Sequence, residues 1–303
     1  MNFINFATLV KDSIVKQIGD CYTVRLNNVK KNNGIVLTGV TIMQDGSNIS
    51  PTVYLNNYYE EYISQRVTFS GVVNDVINTY RQNRIPRKVD MRFFLDYKDV
   101  KPRLVYKLIN AEKNKELLED IPHMEYMDLA IVFRCLVSLE KSDASILVHN
   151  THLKLWGVTT PQLYQDAKEN TPKLLPYELK SMAEVLCDIM QTNPDQFDYD
   201  ESMADFPDSI PMYVLSNKNR VEGASCMLYP NLLRDFADAA GSNLYIIPSS
   251  IHEVLLLPSV DSYEDGEIKN IIKDVNDTQV IPEEILSDSL YFYDRENDKL
   301  VML

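Results

Sequence analysis

The sequence predicts an α+β protein of mixed, largely antiparallel sheets with packed helices, arranged as two subdomains. Three observations carry that expectation. Strand-like runs follow one another through short turns, as at 21–29 and 35–43 around Asn33-Gly34, and a turn that short joins only antiparallel strands. Helical stripes separate the strands only some of the time, which disfavours a doubly wound parallel sheet. The 303 residues also exceed what one core usually serves, and a break near 83–90 divides the chain into 1–90 and 91–303.

The elements follow in order. Phe3, Phe6, Leu9, Val10, Ile14 and Val15 recur at helical spacing, interrupted by Lys11 and Asp12, and Gly19 stands close behind. Strands at 21–29, 35–43 and 50–55 then form a meander. A tyrosine-rich charged segment begins at Asn56, and Val72, Val73, Val76 and Ile77 mark one face of a helix over 69–80. Residues 93–110 fit either a buried helix or short strands. An antiparallel pair is expected at 124–136 and 145–155, joined around 140–143. Thr160-Pro161 opens a helix running to Glu169, and Leu179, Met182, Ala183, Leu186, Ile189 and Met190 form the stripe of another. Beyond an acidic stretch come a strand at 212–215, a helix at 230–240 stopped by Gly241, and strands at 244–247 and 254–257. A capping box at 262–265 starts a helix carrying Ile268, Ile271, Ile272 and Val275, and a hairpin at 289–303 turns around 296–298.

Charge is concentrated rather than spread. The net value is −14, of which −6 falls in 192–209 and −8 in 261–303, leaving the rest neutral. The first stretch holds Asp195, Asp198, Asp200, Glu201, Asp205 and Asp208 without a Lys or Arg, and its prolines make it a candidate exposed loop. Such a chain is not expected to bind nucleic acid, because phosphate neutralisation needs clustered cations. The one basic cluster, Arg81, Arg84, Arg87 and Lys88, reads as a solvated connector. Cys21, Cys135, Cys187 and Cys226 stand singly, without a Cys-x-x-Cys pair, and are expected to be reduced and mostly buried. The first twenty residues lack the pattern of a secretory signal and no run is long enough for a bilayer span, so a cytoplasmic protein without membrane association is expected.

Residues able to carry chemistry are few. Pro248-Ser249-Ser250-Ile251-His252-Glu253 places hydroxyl, imidazole and carboxylate together between two apolar runs, so Ser250, His252 and Glu253 are the candidates for catalysis. In an extended chain Ser250 and His252 share a face while Glu253 points away, and no Gly-x-Ser-x-Gly elbow is present, which favours a polar-capped turn. His149 and His152, with His252, are the candidate metal ligands, although a strand end after Ile146-Leu147-Val148 would point the first two apart. Cys226 precedes a helix whose N-terminus could acidify a thiol, but its apolar neighbours favour packing. No glycine-rich phosphate loop occurs, and no cofactor is expected.

Four strings in order, NISPTVYL at 48–55, HLKLWGV at 152–158, AKENTP at 167–172 and PSSIHEV at 248–254, resemble the bacterial family catalogued as domain of unknown function 5688. The resemblance implies a soluble protein of anaerobic gut bacteria, often near mobile genetic elements, and supplies no catalytic residues. The expected function is therefore a non-enzymatic interaction or regulatory protein whose six acids in 192–209 face a basic protein partner. The alternatives are a hydrolase or metal-dependent enzyme built on the Ser250/His252 region, and an acidic mimic of DNA that occupies a nucleic-acid-binding protein.

Overall fold

The computed structural model describes residues 1–84, 88, 90–137, 144–192, 212–259 and 265–303. They form two compact units, Met1–Phe93 and Phe94–Leu303.

The first unit begins with α1 (Phe3–Ile18), whose Asn2 side chain accepts the amide of Asn5 and so starts the helix. Next come β1 (Tyr22–Lys30), β2 (Val36–Gln44) and β3 (Thr52–Tyr54), an antiparallel sheet in the order β1-β2-β3. The β1–β2 turn puts Asn33 and Gly34 at φ values of 59° and 70°, the left-handed conformation that Asn and Gly tolerate best. Helices α2 (Asn56–Ile63) and α3 (Phe69–Asn83) complete the unit. Phe6, Val10 and Ile14 of α1, Val40 and Ile42 of β2, and Val72 and Val76 of α3 make one buried cluster.

The second unit opens with a 3-10 turn (Arg92–Leu95 spans the boundary), then α4 (Tyr97–Val100) and β4 (Leu104–Asn110), so the ambiguous stretch is short helical turns followed by a strand. Helix α5 (Lys115–Asp120), β5 (His123–Tyr126), β6 (Leu129–Leu136) and β7 (Ser145–Leu147) follow. The single strand expected at 124–136 is thus a hairpin, turning where Met127 takes φ 55°, a conformation for which methionine gives no sequence signal. The expected partner strand at 145–155 ends at Leu147, because His149 caps α6 (Asn150–Trp156). Helix α7 (Thr160–Leu174) runs past Glu169 in spite of Pro172. Its buried stripe Leu163, Ala167 and Thr171 continues into that last turn, where the Thr171 hydroxyl donates to the Ala167 carbonyl at 2.6 Å and accepts the Tyr106 amide of β4 at 3.1 Å.

Strand β8 (Tyr177–Ser181) takes Leu179 out of the expected helix, since it pairs with Leu215, and α8 (Met182–Thr192) starts after it. The remaining elements are β9 (Tyr213–Asn217), α9 (Leu232–Ala240), β10 (Leu244–Ile247), β11 (Val254–Pro258), α10 (Asp265–Thr278), β12 (Tyr291–Asp294) and β13 (Lys299–Met302). The acidic stretch from 193 onward and the capping box at 262–264 lie outside the described residues.

Two antiparallel sheets organise this unit. One runs β13-β12-β10-β11-β9-β8, and the other β4-β6-β5 with β7 also paired to β6. Six residues of β4 and seven of β6 are buried, so both faces of that pair are covered. The two exceptions are Lys107 and Arg134. Val105 pairs with Arg134 and Lys107 with Val132, which sets both cations on the same face of the sheet. The cysteines are free, with Cys135 and Cys226 buried but Cys21 and Cys187 exposed, so burial holds for two of the four.

Candidate functional site

The face bearing Lys107 and Arg134 receives the turn that follows β9. Asn217, fully buried at the end of that strand, organises the turn by donating to the Val221 carbonyl at 2.8 Å and accepting the Asn219 amide at 3.0 Å. Arg220 and Glu222 are both left-handed at φ 53°, which costs a non-glycine residue about 1–3 kcal/mol and persists only where contacts enforce it. Two contacts enforce it at Glu222. Its carboxylate accepts from Lys107 Nζ at 2.7 Å and closes on Arg134, while its backbone N–H donates to His252 Nδ1 at 3.1 Å.

Gly223, next in sequence, packs against the same turn. A Cβ there would overlap the Ser216 hydroxyl and stand 2.5 Å from the Asn217 amide nitrogen and 2.7 Å from the His252 carbonyl oxygen. Only glycine admits so close an approach.

His252 is held from several directions. Its carbonyl accepts the Ser216 hydroxyl at 2.7 Å, its amide donates to Ser250 Oγ at 3.0 Å, and Nε2 lies 3.3 Å from Glu284 Oε1. Because Nδ1 accepts a backbone hydrogen, the proton of the neutral ring resides on Nε2 and faces Glu284. The segment is anchored in turn by an antiparallel bridge between Ser250 and Ile285, with Ile251 N donating to Glu284 O at 2.8 Å. The outcome is a connected series in which Lys107 and Arg134 pair with the Glu222 carboxylate, the Glu222 backbone N–H meets the neutral His252 ring, and that ring faces Glu284, running from the buried sheet to a partly exposed end.

Burial of the Glu222 carboxyl would by itself raise its pKa. The charges of Lys107 and Arg134, the Lys107 hydrogen bond and the nearby His252 outweigh burial and hold it below the ordinary value of 4.5. Arg134 Nε has no hydrogen-bond partner among the described residues, so the guanidinium is paired by charge through Nη1, which also donates to Ser145 Oγ at 3.1 Å. A carboxylate kept ionised between two cations is a weak base, and a hydroxyl committed to its own turn is a weak nucleophile. The chemistry available here is charge compensation.

The other residues singled out in the sequence are placed apart from this chain. His149 and His152 form a reciprocal cap on α6, with the His149 amide donating to His152 Nδ1 at 3.0 Å and the rings 5.6 Å apart. They are thus on a helix start rather than splayed at a strand end. Burial, and then His149, lower the His152 pKa below 6.5, and its ring meets Phe94 edge-on at 4.9 Å. No group of three or more His, Cys, Asp or Glu among the described residues is placed to hold a metal. Burial pushes the Cys226 thiol up to about 12. The six acids Asp195, Asp198, Asp200, Glu201, Asp205 and Asp208 lie outside the described residues, while Glu253 is half-buried just before β11.

Lys107, Arg134 and Glu222 escaped the sequence reading, yet a signal existed for the first two. Each is a lone cation inside an apolar strand run, LVYKLIN and LAIVFRCL, and a cation so placed requires a counter-charge. Nothing local marks Glu222 as that counter-charge.

Among the described residues no helix is long and apolar enough to cross a membrane. No curated protein and no solved structure matches the chain. The model of a family of unknown function (DUF5688) does match it, over residues 3–295, and the chain belongs to that family.

Proposed function

We propose that this chain is a non-enzymatic interaction or regulatory protein that engages a basic partner through acidic surface interspersed with aliphatic side chains. The observation that carries the reading is the outward face of α10. Ile268 and Ile272 turn inward onto Tyr245, Ile247, Leu257 and Leu290. Glu267, Ile271, Asp274 and Thr278 succeed one another at helical spacing on the opposite side, all exposed, with Val275 and Asp277 flanking them. Ile271 is 60 % exposed, and neither Lys nor Arg interrupts the face. Glu267, Asp274 and Asp277 have no ion-pair partner among the described residues.

Aliphatic groups flanked by unpaired carboxylates match a partner segment that alternates Lys or Arg with apolar residues. The hydrogen bonds at Ser250 and His252 support the same reading over the hydrolase alternative, since Ser250 Oγ accepts the His252 amide within its own turn and His252 holds the 216–223 turn through Nδ1 and its carbonyl.

Affinity capture from the native cell tests it. Wild-type protein should retain a basic partner that elutes as salt rises, because exposed charge pairs are screened. Glu267→Gln/Asp274→Asn/Asp277→Asn should lose it, and neutralising the six acids of 192–209 should weaken it further. Recovery of no partner by any form sinks the proposal.

A further inference from the structure

A cleft of about 300 Å³ opens in the second unit between α7, the start of α9 and the C-terminal hairpin, and its lining has unused binding capacity. Tyr164 and Lys168 reach it from successive turns of α7, Tyr126 from the end of β5, and Asn231 from the N-cap of α9. Among the described residues none of these four side chains makes a hydrogen bond or ion pair. The other polar groups of the wall are satisfied. Asp298 pairs with Arg234 and accepts the Tyr293 hydroxyl at 2.5 Å, so its charge is consumed and Lys168 remains as the uncompensated one. The Tyr229 hydroxyl is committed to the Leu175 carbonyl at 2.6 Å.

Lys168 thus stands uncompensated with hydroxyl and amide donors around it. The same cleft offers apolar lining from Met227, Leu228, Leu233 and Leu300. The lining is mostly polar with an apolar minority, which suits a polar or charged small molecule, and the volume is at the lower end for a ligand site.

We propose that this cleft binds a small organic anion, one carboxylate or phosphate on an aromatic or aliphatic body. Lys168 holds the anionic group, Tyr164 and Asn231 donate to it, and the body lies against Met227 and Leu233. The site is separate from the face of α10 and does not depend on that reading.

Calorimetric titration of the full chain with phenyl phosphate, inorganic phosphate and benzylamine tests this. Phenyl phosphate should bind saturably at one site, inorganic phosphate more weakly, and benzylamine not at all. Lys168→Gln should weaken phenyl phosphate by about tenfold or more, the loss of one charge-assisted hydrogen bond. Lys154→Gln, which removes an exposed charge on α6, should leave the affinity unchanged. Both lysines are exposed, so the variants keep the fold, and matched thermal melts verify it. Absence of saturable phenyl phosphate binding overturns the proposal. So does equal binding of benzylamine, or an equal loss in the two lysine variants.

Discussion

At the scale of single residues, Glu222 governs a buried charge balance. Without its carboxylate Lys107 and Arg134 would share one covered sheet face with no counter-charge. Glu222→Gln should destabilise the second unit by about 3 kcal/mol, the usual cost of breaking a buried pair from one side. Urea unfolding measures this, and a change under about 1 kcal/mol would show that the cations find other partners. The pH dependence has a definite sign. Since the folded carboxyl titrates below its ordinary 4.5, its contribution is complete above that pH and is lost as pH falls from 4.5 through the lower folded value. Wild-type stability should therefore drop across that window while Glu222→Gln stays flatter.

At the scale of elements, the β5–β6 hairpin depends on Asp128. Its carboxylate accepts from the Ser287 hydroxyl at 2.5 Å, from Ser289 at 3.0 Å, and from the Tyr291 hydroxyl, joining the hairpin turn to β12. Ser287 and Tyr291 are both fully buried. Asp128→Ala would leave those two hydroxyls without an acceptor, at roughly 1–3 kcal/mol each. A loss of about 3 kcal/mol is expected, together with faster amide exchange along β12. Unaltered exchange there would mean that another contact joins the two. The same scale explains which elements were legible. The α1 and α3 stripes and the Asn33-Gly34 turn announce themselves because their cause is local. Pro172 inside α7, Met127 in a left-handed turn and Leu179 in β8 do not, because contacts with β4, β12 and β9 override the local preference.

At the scale of the whole molecule, the first unit has a core of its own drawn from α1, the β1-β2-β3 sheet and α3, with Phe6 and Val76 fully buried in it. A chain ending at residue 93 should fold by itself and melt cooperatively, and Phe6→Ala should cost it about 3–5 kcal/mol. Circular dichroism with temperature checks both; a non-cooperative melt of the unsubstituted fragment would show that this core is insufficient.

The α+β class, the antiparallel meander, the first helices, the concentration of acid and the family were all determined by the sequence alone. Each rests on periodicity, on turn residues, on composition or on a string of adjacent residues, and so needs no knowledge of distant contacts. Part of the candidate site was equally visible, since Ser250 and His252 stand two apart in the chain. What they do was decided by tertiary structure. The imidazole acts on a backbone N–H thirty positions away, and Glu222 neutralises cations eighty-eight and one hundred and fifteen positions before it. Pairings at that separation arise from strand register and the packing of a turn on a sheet, quantities that no local pattern encodes.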